Sequence, residues 1–135
     1  PYLYGQLLKA ADELHELYCD VVRDGQKPQE LVGSSMFRSV SESPLRMLPV
    51  LSQRIMPYYA WAKVYRRKSD NENRKHAARA GWLYRVCEQI TTRLWNSQTV
   101  PSRFNDEEKA QLFIGYLASF SEKEMKLEEE SNHES

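Results

Sequence analysis

The chain has 135 residues, 41% hydrophobic and 28% charged, with a formal net charge of zero and two cysteines. That is the size of one ordinary domain, able to bury a core without disulfides or metals, and no stretch approaches the roughly 18 uncharged apolar residues of a membrane span. With no basic segment followed by an apolar run at the start, and with Cys19 and Cys87 in helical patterns that read as reduced core residues, the expected location is cytoplasmic.

A chain that opens on Pro1 is expected to be processed or a piece of a longer protein. Leu3, Leu7, Ala10, Leu14, Leu17 and Val21 then recur at steps of four and three, which predicts a first helix over about residues 2 to 22, ended by Gly25. Leu31, Val32, Met36, Phe37 and Val40 suggest a short helix within 29–40, before the Ser-Glu-Ser-Pro punctuation at 41–44. A third helix is expected with Pro49 in its first turn and Leu51, Ile55, Tyr58, Ala62 and Tyr65 on one stripe, kinked at Pro57. After the polar break "RRKSDNENRK", Ala80, Leu83, Cys87, Ile90 and Leu94 predict a fourth helix over about 73 to 97, stopped by Asn96 and Pro101.

The fifth helix begins in "FNDEEKAQLFIGYL". Asn105 is placed to accept a hydrogen bond from the first free amides, and Asp106, Glu107 and Glu108 oppose the positive end of the helix dipole. Its expected apolar face is Ala110, Phe113, Leu117 and Phe120, with Gly115 off that stripe. A glycine inside a helix costs roughly 1 kcal/mol against alanine, which points to a close neighbour at that position. No strand-like alternation, hairpin turn or internal repeat competes. The reading is all-α: residues 1–120 form a compact bundle of about five helices, and 121–135 form an acidic tail, frayed and then disordered.

The zero net charge conceals segregation. Residues 38–103 hold 13 Lys and Arg against four acids, a local charge of +9, whereas residues 1–37 carry −3 and residues 104–135 carry −6. Taking Arg74 as zero on a wheel of roughly 100° per residue, Lys75, Arg79, Arg85 and Arg93 fall at roughly 100°, 140°, 20° and 100°, with Trp82 at roughly 80°. The cluster Arg66, Arg67 and Lys68 adds three cations near one end. Cations that neutralise phosphates beside an indole that stacks on any base suit sequence-independent nucleic-acid binding. The plainer reading is a solvated charged face with Trp82 packed on a neighbouring element. A third is a protein-docking surface formed by Trp61, Trp82, Trp95 and the tyrosines, since aromatics and arginine are what interface centres favour.

No catalytic constellation stands out. His15, His76 and His133 are far apart, and His15 with Cys19 is a lone i,i+4 pair that no second pair completes into a zinc site. Glu107 and Glu108 are explained as first-turn acids, and "DNEN" at 70–73 as a loop and helix cap. Gly-rich phosphate loops, Gly-x-Ser-x-Gly and Asp-rich metal motifs are absent from the sequence. The expectation is a protein without enzymatic activity, cofactor, metal or small-molecule substrate.

Three stretches, "YLYGQLLKAADEL" (2–14), "MFRSVSESPLRMLPVLSQ" (36–53) and "DEEKAQLFIGYL" (106–117), resemble the C-terminal helical part of the large subunit of subtype I-C CRISPR Cascade. In that family this region is also made as a separate small subunit. The similar features are a Tyr-Leu-x-Gly opening, a Ser-x-Pro turn into a proline-started helix, and a Glu-Glu helix running into Gly-Tyr. The chain departs from the family's pattern at Lys109, Leu112 and 117–119, and the resemblance does not extend over 66–103. It implies a helical, non-catalytic subunit that lines the effector complex beside its guide RNA and other subunits and holds target DNA by its backbone. Gly115 would then let a neighbouring helix or subunit come close, with Tyr116 beside it; the alternative for Gly115 is helix packing within the domain. A helical adaptor or regulator that binds only protein, through an arginine and aromatic surface, is the competing function.

Overall fold

The computed structural model describes residues 1–68, 70, 72–97 and 100–120, and within them five helices and no strand. The first, α1 (Tyr2–Val22), carries the predicted stripe but buries far more than one stripe. Tyr4, Leu8, Ala11 and Cys19 are buried as completely as Leu7, Ala10 and Leu14. A helix apolar on several faces belongs inside a bundle, and α1 touches all four of the others. It ends where the Arg23 and Gly25 amides both donate to the Cys19 carbonyl at 3.0 Å. Asp24 and Gly25 then take positive φ, 52° and 83°, the left-handed turn that satisfies a last carbonyl.

The second helix, α2 (Val32–Glu42), starts three residues later than the predicted span and buries Val32, Gly33, Met36 and Val40. Its own N-cap residue, Leu31, has no side-chain acceptor. The acceptors come from α1: the Asp12 carboxylate takes the Gly33 amide at 2.6 Å and the Ser34 amide at 3.0 Å, and His15 Nδ1 takes the Val32 amide at 3.1 Å. Capping from another helix fixes both where α2 begins and how it lies on α1.

The third helix, α3, runs Pro44–Tyr65, which corrects the expected start near Pro49. Pro44 is the first-turn proline, suited to that position by its missing N–H and fixed φ. It is fully buried, its carbonyl accepts the Tyr4 hydroxyl at 2.9 Å, and the next amide, of Leu45, reaches the Pro101 carbonyl at 3.2 Å. These anchors, with Leu48 buried one turn on, hold the extra turn in place. One helix continues through both Pro49 and Pro57. The predicted stripe holds: Leu51, Ile55, Ala62 and Tyr65 are buried and Tyr58 is half-buried.

The fourth helix, α4 (Arg74–Ser97), buries Ala80, Leu83, Cys87, Ile90 and Leu94 as its spacing predicts, along with Ala77, Tyr84 and Val86. The last, α5 (Asp106–Leu117), opens with the predicted cap. Asn105 Oδ1 accepts the Glu108 amide at 2.8 Å, and Glu108 Oε1 accepts the Asn105 amide at 3.0 Å, a complete capping box. Its buried face differs from the predicted one. Leu112 and Gly115 face α1, while Phe113 and Leu117 are 52% and 62% exposed and Ala110 is exposed too. The reason is backbone proximity: a Cβ on Gly115 would collide with the Tyr2 carbonyl oxygen, and one on Gly5 would collide with the Leu112 carbonyl oxygen. Two glycines let α1 and α5 cross at main-chain contact, and that fixes which side of α5 turns inward. The tail read at 121–135 lies outside the described residues. Among the described residues no helix is long and apolar enough to cross a membrane.

Candidate nucleic-acid interface

The α3–α4 connection gathers most of the predicted cations at one end of the bundle. The Tyr65 hydroxyl donates to Asn73 Oδ1 at 2.8 Å, tying the last residue of α3 to the residue before α4. Arg67 and Lys68 follow α3, Arg74 and Lys75 open α4, and all four are exposed. Arg66 is held more closely: its Nε donates to the Lys63 carbonyl at 3.1 Å, and its guanidinium lies 4.5 Å from the Tyr84 ring centre. Asp70 and Glu72 share this end.

Farther along α4 the predicted residues differ among themselves. Arg79 Nη2 meets Glu13 Oε2 of α1 at 2.9 Å, and the same guanidinium sits 4.5 Å over the Trp82 ring. Trp82 is half-buried and meets Phe120 edge-on, with centroids 5.2 Å apart. Its Nε1 makes no hydrogen bond, although a buried indole N–H usually finds a partner. Arg85 is half-buried and Arg93 exposed. Arg74 and Arg93 are nineteen positions apart, so the cationic face of α4 runs about 28 Å at 1.5 Å per residue.

Three residues at this face have no local signal in the sequence. Lys9 lies 4.9 Å over the Phe120 ring and donates to the Ala118 carbonyl. With Glu13, Arg79, Trp82, Ser119 and Phe120 it lines an open concavity of about 460 Å³. Lys9 and Glu13 stand four apart on α1, which by spacing alone reads as an ordinary helical ion pair. Spacing puts Phe120 on the apolar face of α5, but it packs across onto α4, edge-on to Trp82.

Gly115 and Tyr116 are engaged within the chain. The Gly115 carbonyl accepts Gln6 Nε2, and Gly115 itself abuts Tyr2 of α1. The Tyr116 hydroxyl donates to the Asp12 carboxylate and lies 2.8 Å from Ser34 Oγ, while its ring meets Phe37 edge-on at 5.6 Å. Burial, then the bond to Asp12, raises the Tyr116 pKa. The outward face of α5 consists instead of Phe113, Ile114 and Leu117. Trp61 also faces inward, stacked on Tyr65 at 4.8 Å and edge-on to Tyr18 at 5.4 Å, whereas Trp95 is 49% exposed.

His15 and Cys19 do not present themselves as a ligand pair. His15 Nδ1 is occupied by the Val32 amide, and its ring stacks on Tyr58 at 4.3 Å. Among the described residues no three His, Cys, Asp or Glu side chains gather to hold a metal ion. No protein-family model, curated protein or solved structure matches the chain.

Proposed function

We propose that the chain is the non-catalytic small subunit of a type I CRISPR effector, Cascade, in the cytoplasm. It holds target DNA by the backbone through the cations of α4 and of the α3–α4 connection, and docks on the other subunits and their guide RNA. The observation that carries the reading is the separation of charge, a central segment at +9 between acidic ends. Arg67, Lys68, Arg74 and Lys75 are exposed together at one end of the bundle and Arg93 is exposed far along the same helix. The family resemblance of residues 2–14, 36–53 and 106–117 supports it. The first and last of those stretches lie in the α1–α5 pair, and the middle one spans the α2–α3 corner. The reading assigns no catalytic residue, metal, cofactor or small-molecule substrate.

The test replaces Arg67, Lys68, Arg74 and Lys75 by alanine and follows binding to single- and double-stranded DNA across a salt series. Affinity is expected to fall equally for all sequences, and the slope of log affinity against log salt to flatten by roughly one unit per lost phosphate contact. A folded variant with unchanged affinity and slope overturns the reading.

The competing reading, a helical adaptor that binds only protein, is favoured by one observation. Phe113, Ile114 and Leu117 form an exposed apolar ridge along α5, the kind of surface that marks docking sites. It requires that the wild-type protein shows no salt-dependent retention of DNA, while Leu117→Ser abolishes capture of a partner subunit.

A further inference from the structure

Resting on the reading of α4 as a nucleic-acid face, we propose that the concavity between α1 and α4 is a subsite for one unpaired nucleobase. The base stacks in the corner made by Trp82 and Phe120, and Arg79 and Lys9 serve the phosphates on either side. The two rings meet at 76° with centroids 5.2 Å apart, so they form two walls of a corner rather than a closed stack. Each already carries a cation: the Arg79 guanidinium lies 4.5 Å over Trp82, and the Lys9 ammonium lies 4.9 Å over Phe120. A flat cation on an aromatic face occupies the place a base would take, and arginine planes and aromatic rings are the surfaces on which unpaired bases stack.

Duplex DNA cannot use such a corner, because its bases are already stacked on one another. A single strand can, because its bases are free to unstack. The neighbours suit this ligand. Ser119 lines the same concavity and adds a hydroxyl to its wall. Glu13 holds Arg79 in the free protein, with Nη2 to Oε2 at 2.9 Å. A phosphate must displace that carboxylate, so Glu13 acts as an internal competitor that weakens binding until a strand is present.

The probe is a fluorescent oligothymidylate of about 12 nucleotides, compared with an abasic strand of the same length and charge. Wild-type protein is expected to bind the thymidylate about tenfold or more tightly than the abasic strand. Trp82→Ala is expected to weaken thymidylate binding far more than abasic binding, so that the preference disappears, and Glu13→Gln to tighten both strands. Should Trp82→Ala fail to fold by circular dichroism, Phe120→Ser decides the same question, since Phe120 lies beyond α5 and half-buried. Equal binding of thymidylate and abasic strands overturns the base subsite while the backbone reading stands. Binding of neither strand overturns both.

Discussion

The two halves of this bundle are held by different means. Where α1 crosses α5 and α2, main chain meets main chain, and side chains of α1 take up the loose ends of its neighbours. Asp12 and His15 accept the first amides of α2, and Gln6 and Lys9 donate to the carbonyls of Gly115 and Ala118 at the end of α5. Where α3 meets α4, rings and cations make the contacts instead. Tyr59 stacks on Tyr84 at 4.3 Å, and Arg66 lies over Tyr84. The first kind of contact tolerates almost no added atom. The second includes a long cationic side chain, Arg66, that stays half-exposed over a buried ring.

Removing the shared carboxylate should break the first half most. Asp12 is 6% exposed and serves two α2 amides, the Ser34 hydroxyl and the Tyr116 hydroxyl. Asp12→Ala leaves the two α2 amides without an acceptor and is expected to cost about 2 to 4 kcal/mol in urea unfolding. A loss below about 0.5 kcal/mol would mean that the α2 cap is dispensable.

Two glycine-to-alanine changes sharpen the contrast. At Gly5 the new methyl meets backbone that cannot step aside, so about 1 to 3 kcal/mol of stability should be lost. At Gly81 of α4 the nearest atom is Arg66 Cβ at 3.4 Å, an ordinary contact, and the gain in helix propensity should stabilise the protein by up to about 1 kcal/mol. Opposite signs at the two positions, read from denaturation midpoints, are the expected result.

The smallest effect is the pH response of the α1–α2 cap. Burial pushes the His15 pKa below its usual value; nearby Asp12 opposes the shift and Arg23 adds to it. The folded protein therefore keeps His15 neutral, as its acceptor role toward Val32 requires. The unfolded chain takes up the proton near pH 6.5, so stability is complete above about that pH and declines as pH falls toward the depressed folded value. Urea midpoints at about pH 7.5 and pH 5 should differ more for the wild type than for His15→Gln, which keeps an acceptor but does not titrate. Equal differences would remove His15 from the account.

Helix existence was legible in the sequence because three-four spacing reports burial on one side, as Leu83, Cys87, Ile90 and Leu94 show. What escaped were features set by another helix. The start of α2 depends on Asp12 and His15, about twenty residues upstream, and Leu31 gives no sign of it. The inner face of α5 is chosen by a glycine crossing, so the larger Phe113 and Leu117 point outward against the rule that size predicts burial. At the candidate interface the cations and Trp82 were readable as a strip. Lys9, Glu13 and Phe120 were not, since each is brought there by tertiary packing alone.

One quiet residue of α4 offers a clock. Cys87 is 2% exposed, and burial pushes its thiol up to about pKa 12. At neutral pH the folded protein therefore keeps this thiol protonated, and the reactive thiolate is withheld. Alkylating reagents must wait for the bundle to part, so the rate at which Cys87 is modified times that opening, and a bound strand that clamps α1 to α4 would slow it.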